Sequence, residues 1–457
     1  MLIRFTVENF LSFKERVEFS MIPGKGRKLS HHLIKREKNK DISVLKTGVL
    51  YGANAAGKSN VIKAMDFAKQ LITKGTPPDK FIPLKPFKLD EAYRDKPSRF
   101  EFEFKQEGKI YAYGFSLNTQ WILEEWLYEI NSVDEKPIFE RQTISDEQVI
   151  VTPGSSLQLD NEEQAGVFKY TGNMGTRPNQ LFLNEISKIN TKKLTIAALI
   201  NSYHWFDKVL TLIFPDTKTV GLAFEAKNKD FIQDSFFNVL NAFDTGITGI
   251  KAIEVDFEDQ LKALPESVKN NLALELERDE YLLISASNNT PYVIFRKDSQ
   301  IKAIKLMTKH SSRGESEVLF EISEESEGTQ RMIDLIPALI TLFKNEKVFV
   351  IDELERSLHP TLTKRLLALF LSYSQNVKSQ LIVTTHEAEL LDFDLLRKDE
   401  IWFVEKNKAG ESSLYSLEEF KTHYGKDWRQ GYLLGRFGAV PMIRSRLIQL
   451  PNIEKIK

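Results

Sequence analysis

The chain has 457 residues, 42% hydrophobic and 28% charged, with a net charge of −1. These values fit a soluble globular protein of two or three domains or one elaborated domain, and argue against a uniformly basic nucleic-acid coat. There is no cysteine, which excludes disulfides, thiolate zinc sites and cysteine nucleophiles.

The N-terminus, Met1-Leu2-Ile3-Arg4-Phe5, lacks the regions of a signal peptide, and no apolar run reaches the length of a membrane span. The expectation is a cytoplasmic protein with no membrane partner. Residues 2–20 alternate in places and read as two strands turning near Ser12-Phe13-Lys14. Residues 24–40 carry Lys25, Arg27, Lys28, Lys35, Arg36, Lys38 and Lys40 against Glu37. This is either a solvated connector or a basic loop beside a nucleotide or nucleic acid.

Gly52-Ala53-Asn54-Ala55-Ala56-Gly57-Lys58-Ser59 fits the phosphate-binding pattern G-x-x-x-x-G-K-[ST]. Its context fits too. The apolar run Gly48-Val49-Leu50-Tyr51 can end a buried strand, and residues 60–68 have helical spacing. Glycines let backbone N–H groups approach phosphate, and the helix N-terminus adds partial positive charge. In such a loop Lys58 reaches the β- and γ-phosphates, and Ser59 holds Mg²⁺.

Beyond Thr76-Pro77-Pro78, the segments Arg99–Phe104 and Ile110–Phe115 alternate around Gln106-Glu107-Gly108 and predict a hairpin. With strand-like pieces in 121–151, residues 1–20 and 98–151 predict an antiparallel sheet. Residues 152–180, rich in Gly, Asn, Gln and Ser, read as an irregular connector. Residues 186–214 read as helical, ending at Phe214-Pro215, with further helices at 229–243 and 259–276. Strand pairs follow at 281–287 with 291–296, and at 301–309 with 317–323. No heptad run long enough for a coiled-coil arm is present.

Glu325-Ser326-Glu327-Gly328-Thr329-Gln330-Arg331 is a polar turn before a strong helix. It is either an anion site on free N–H groups or an ordinary N-cap. Val348-Phe349-Val350-Ile351-Asp352-Glu353 is a buried-strand run closed by two acids. Asp352 suits the Mg²⁺ shell, and Glu353 suits polarising the attacking water. A second run, Leu381-Ile382-Val383-Thr384-Thr385, ends at His386, which suits a γ-phosphate contact.

In this order the motifs resemble the ABC-type ATPases of the SMC and DNA-repair branch. Gly52–Ser59 with Asn60 resembles Walker A, and Ser326-Glu327-Gly328-Thr329-Gln330 a divergent signature loop. Asp352-Glu353 resemble Walker B and the catalytic glutamate, Glu355–Pro360 the D-loop region, His386 the switch histidine, and Glu8–Phe13 the opening strand. Over nearly the whole chain the sequence is similar to the RloA/AbiLi-like (PARIS-type) ATPases of anti-phage systems, often filed among AAA proteins. The runs at 399–406 and 432–441 contribute to that likeness.

The resemblance implies an α/β ABC-type, SMC-like P-loop ATPase head with an antiparallel β subdomain and a mixed helical insertion. Its segments would be an N-terminal lobe at 1–151, a connector and insertion at 152–324, a C-terminal lobe at 325–406 and a packing or docking segment at 407–457. It implies slow, switch-like ATP hydrolysis with Mg²⁺. Lys58, Ser59, Asp352, Glu353 and His386 of one subunit, and Ser326 and Gly328 of another, would sandwich ATP in a homodimer or a larger homo-oligomer. Asn184, in Leu181-Phe182-Leu183-Asn184-Glu185, stands where a Q-loop glutamine is expected. The implied partners are a separately encoded effector (Toprim-like or another nuclease), a phage-derived trigger and, as a further candidate, nucleic acid. Rival readings are a DNA-repair ATPase, an ATP-assembled scaffold, and an ATPase fused to a nuclease built on Asp392-Phe393-Asp394.

Overall fold

The computed structural model describes residues 1–37, 41–131, 134–157, 159, 162–189, 196–217, 240, 243, 245–257, 265–276, 281–285, 291–297, 300–312, 317–374, 377–420 and 428–440. The predicted helix at 229–243 and the first part of that at 259–276 lie almost wholly outside these residues.

Among the described residues, ten strands precede residue 160: β1 (Leu2–Glu8), β2 (Val17–Ser20), β3 (Leu33–Ile34), β4 (Val44–Leu45), β5 (Thr47–Tyr51), β6 (Ser98–Gln106), β7 (Lys109–Leu117), β8 (Ile122–Ile130), β9 (Glu135–Thr143) and β10 (Val149–Pro153). Those that follow are β11 (Leu210–Ile213), β12 (Ile247–Asp256), β13 (Tyr281–Ser285), β14 (Pro291–Lys297), β15 (Gln300–Ser311), β16 (Glu317–Glu321), β17 (Val348–Ile351), β18 (Gln380–Thr385), β19 (Ile401–Lys406) and β20 (Ser412–Ser416).

The chain divides into two compact units. The first comprises 1–212, 350–353 and 380–457, the second 213–349 and 354–379.

In the first unit, the expected antiparallel sheet forms with seven strands in the order β10-β9-β8-β7-β6-β1-β2. Period-two alternation on β6 explains its two faces. Phe100, Phe102 and Phe104 are fully buried, whereas Arg99, Glu101 and Glu103 face outward. Burying each phenylalanine contributes about 1.5–3 kcal/mol. Phe104 stacks on Trp205 with ring centroids 4.4 Å apart.

A six-stranded sheet has the order β11-β17-β18-β5-β19-β20. β5 is central, and every one of its residues is buried. It runs parallel to β18, with Val49 opposite Val383, and parallel to β19, with Tyr51 opposite Phe403. Strands covered on both faces are apolar throughout rather than alternating, which is how these runs read in the sequence.

Two sequence expectations are corrected. The segment taken as an irregular connector contains a helix, Glu162–Tyr170. Phe168 is buried there against Phe182, with centroids 5.0 Å apart, so packing overrides a polar composition. The helical reading of 186–214 resolves into helices Phe182–Ser187 and Ala197–His204, a π-turn at Trp205–Val209, and then the edge strand β11.

Residues 428–440 pack on β19. Tyr432 and Phe437 are buried, and each stacks on Phe403 at 5.8 and 5.9 Å. That part of the C-terminal segment is a packing element; Pro441 lies outside the described residues.

The second unit holds β12-β15-β14-β13, with β16 paired to β15. Its core gathers Phe257, Leu276, Tyr292, Ile294 and Ala303. Helix Glu327–Lys344 is eighteen residues long, and no longer helix occurs among the described residues. No helix among them is long and apolar enough to cross a membrane.

Candidate functional site

The site begins where β5 ends. The loop 52–57 leads into helix α1 (Lys58–Thr73), sixteen residues long. Gly57, at its N-cap, has φ +118° and offers no side chain to the first turn. No capping side chain therefore stands between that turn and an anion. A side chain at Gly57 would also collide: its Cβ would stand 2.5 Å from Ser412 Oγ and 2.9 Å from Ser12 Oγ. At Gly52 a Cβ would meet the Val404 carbonyl oxygen at 2.5 Å.

Lys58 is buried, and its Nζ donates to the Gly52 carbonyl at 2.7 Å and to that of Ala53 at 3.3 Å. The lysine thus caps its own loop, and a phosphate entering the loop would exchange with those carbonyls.

Ser59 Oγ donates to Asp352 Oδ1 at 3.1 Å. The same carboxylate oxygen accepts from Thr384 Oγ1 at 2.6 Å. Thr384 Oγ1 in turn accepts the Glu353 N–H at 2.8 Å. Glu353 has φ +49°, a backbone conformation that costs a non-glycine residue about 1–3 kcal/mol and persists only when its surroundings hold it. Thr384 supplies that hold, and links the end of β17 to β18. Sequence reading placed Thr384 in a core strand but missed this role, since a threonine in a buried run carries no signal of its own.

The loop is braced from behind. Phe10 and Phe13 exchange backbone hydrogen bonds of 2.9 Å, a tight turn that presents Ser12. Asn60 Nδ2 donates to Ser12 Oγ at 2.7 Å. Ser412 Oγ lies 2.8 Å from Ser12 Oγ and 2.6 Å from the Ala56 carbonyl oxygen. The carbonyl can only accept, so Ser412 donates to it and Ser12 supplies the proton between the two hydroxyls. The result is a chain from Asn60 through Ser12 and Ser412 to Ala56, and neither serine was expected at the site.

A cavity of about 530 Å³ opens over these groups, lined by residues 53–60, Lys63, Glu353, His386 and Lys406. Asn54, Ala55, Ala56, Gly57, Lys58, Ser59, Asn60, Glu353 and His386, all expected, are brought together there, and Asp352 stands beside it through Ser59. Lys63 and Lys406 were not expected.

Ser59 and Asp352 offer hard oxygen donors side by side, the kind Mg²⁺ takes when substrate phosphates complete its shell. They fit that ion.

Asn184 is elsewhere. It is fully buried, donates from Nδ2 to the Ile72 carbonyl at 2.8 Å, and accepts from Gln180 Nε2 at 3.0 Å. Ile72 belongs to the last turn of α1, a helix roughly 24 Å long with the phosphate loop at its other end. Asn184 therefore anchors the far end of the helix and does not line the cavity.

Ser326, Gly328, Thr329 and Gln330 belong to the second unit. Ser326 caps helix Glu327–Lys344, its Oγ accepting from the Thr329 N–H at 3.2 Å. Gln330 Nε2 donates to the Glu325 carbonyl at 2.8 Å. Gly328 leaves room for the Ser357 carbonyl, which a Cβ would approach to 2.8 Å. Ser357 Oγ donates to Glu327 Oε2 at 3.3 Å. The signature-like turn and the D-loop-like segment are thus built against each other. Asp392 accepts the Asp394 N–H at 2.9 Å, which makes that motif a turn.

The model of the family described as "AAA domain, putative AbiEii toxin, Type IV TA system" matches residues 49–153 and 198–392. The chain belongs to this AAA domain family. It is an AAA ATPase domain with an α/β fold, of a class that uses ATP and Mg²⁺. No curated protein matches it. Solved structures similar to this AAA domain include an SMC head bound to the C-winged helix domain of ScpA, at 15% identity and TM-score 0.38, covering 91% of this chain and 97% of that one. The SMC head domain from Thermotoga maritima gives 11% and 0.35, covering 91% and 98%. The Smc head domain with an extended coiled coil bound to the C-terminal domain of ScpA, from Pyrococcus furiosus, gives 13% and 0.34, covering 95% and 99%.

Proposed function

We propose that this AAA domain protein binds ATP at the 52–59 loop and hydrolyses it slowly, as a switch, in a head-to-tail homodimer. In the cell it acts in the cytoplasm as sensor or scaffold of an RloA/AbiLi-like, PARIS-type anti-phage system. Its ATP state controls a separately encoded effector, a Toprim-like or other nuclease. The observation that carries the reading is the convergence of Lys58, Ser59, Glu353 and His386 on one cavity, with Asp352 bonded to Ser59. The family's toxin–antitoxin description supports the defence context.

The residues divide the work. Lys58 leaves the Gly52 and Ala53 carbonyls for the β- and γ-phosphates, while N–H groups of the loop and of α1 bind the phosphate oxygens. Ser59 and Asp352 would hold Mg²⁺, which would supply charge neutralisation at the phosphates. Glu353 orients and deprotonates the attacking water, and His386 donates to the γ-phosphate. Ser326 and Gly328 of a second copy, with Thr329 and Gln330 behind them, close on that phosphate from the other side. ATP then bridges two copies, hydrolysis removes the bridge, and the effector responds to the change of assembly.

The test is a phage challenge of cells carrying the protein with its neighbouring effector gene. Wild type should protect, Lys58→Met should not, and Glu353→Gln should lock one output. Protection that survives Lys58→Met would remove ATP from the signalling.

A further inference from the structure

The hairpin β19–β20 brings a lysine to the rim of the cavity. Lys406 and Ser412 are directly opposed cross-strand partners in it, so their side chains leave the sheet on the same face. Ser412 touches the phosphate loop at the Ala56 carbonyl. Lys406 is exposed and lines the cavity with residues 53–60.

Sheet order then fixes which end of the nucleotide this cation meets. β5 carries the phosphate loop. On one side of it lie β18 and β17, with His386 and Asp352-Glu353 at their ends; on the other lies β19. The γ-phosphate end belongs with the acids and the histidine, so the α-phosphate and nucleoside belong over β19. Charge agrees. The titratable side chains lining the cavity are Lys58, Lys63, Lys406, Glu353 and His386, and Lys406 is the lysine that arises from neither the loop nor α1.

We infer that Lys406 is a nucleotide-binding residue that engages the α-phosphate end of a nucleoside di- or triphosphate, apart from the groups that act on the γ-phosphate. This rests on the reading of the cavity as a nucleotide site. A cation at the α-phosphate serves ADP and ATP alike, whereas a cation at the γ-phosphate serves ATP alone.

The experiment is calorimetric titration of the full chain with ADP, and with ATP in a Glu353→Gln background. Wild-type Lys406, Lys406→Ala and Lys406→Arg are compared. Lys406→Ala should weaken both nucleotides by the same factor, about tenfold for a lost charge-assisted contact. Lys406→Arg should recover most of the loss, and hydrolysis should show the change in KM. Unchanged ADP affinity, a loss confined to ATP, or a loss not recovered by arginine overturns the inference. Absence of any ADP or ATP binding by the chain with Lys406 intact would instead overturn the nucleotide reading itself.

Discussion

Ser59 and Asp352 are 293 positions apart in the sequence and meet through a 3.1 Å hydrogen bond. One is a hydroxyl at the start of a helix, the other a carboxylate at the end of a strand. Their meeting turns two separate sequence motifs into one pair of oxygen donors suited to Mg²⁺. Asp352→Asn keeps size and shape but removes the negative charge. It should reduce Mg²⁺-dependent hydrolysis by about a hundredfold or more, with ATP binding in the absence of Mg²⁺ little changed. Phosphate release across a Mg²⁺ titration checks this; hydrolysis at the wild-type level would remove Asp352 from the metal shell.

Thr384 is the outer support of the same pair. Its hydroxyl holds Asp352 and the Glu353 backbone together. Thr384→Val conserves shape and removes both hydrogen bonds. Supporting residues of this kind typically cost about 10–100-fold in activity or metal affinity when lost. The expected result is a fall in kcat of that size with nucleotide affinity largely kept, measured by steady-state kinetics beside ADP titration.

Ser412 joins the C-terminal hairpin to the phosphate loop. Ser412→Ala leaves the buried Ala56 carbonyl without its 2.6 Å donor and breaks the chain through Ser12. About 1 kcal/mol of local stability should be lost, with nucleotide affinity falling roughly fivefold for ADP and ATP together. Thermal unfolding with and without ADP reads both effects.

The 52–59 loop and its helix, the buried strand closed by Asp352-Glu353, the hairpin β6–β7 and the antiparallel sheet were legible because each is written in local pattern: fixed spacing, an apolar run ending in acids, or alternation of two. Thr384, Ser12, Ser412 and Lys406 were not. Their roles come from sheet order and register, which bring residues hundreds of positions apart within bonding distance. Asn184 misled for the complementary reason. An amide after an apolar run looks alike at either end of a helix, and only the packing of Ile72 showed which end it serves. The helix Glu162–Tyr170 was hidden by a polar composition that Phe168 outweighs.

Lys46 gives a pH signature. It is buried at the head of β5, and desolvation pushes its pKa down to about 8, against roughly 10.4 for an unfolded chain. Between those values the unfolded state binds more protons, so stability rises with pH across that window and is lost as pH falls through about 8. Lys46→Met should flatten that slope and raise stability at neutral pH by on the order of 1–3 kcal/mol. Denaturant unfolding at pH 7, 8, 9 and 10 compares the two; equal slopes would show that Lys46 is not the titrating group.

In the proposed function, ATP joins two copies of this chain and Glu353 releases them. The most direct measurement is native mass of the Glu353→Gln protein with ATP·Mg²⁺, with ADP·Mg²⁺ and without nucleotide, beside wild type, with phosphate release followed in parallel. The expected result is an assembly that forms with ATP, persists in Glu353→Gln and is absent with ADP, while hydrolysis drops about 10²-fold or more. A monomer in every state, with rapid hydrolysis that depends on DNA, would contradict it.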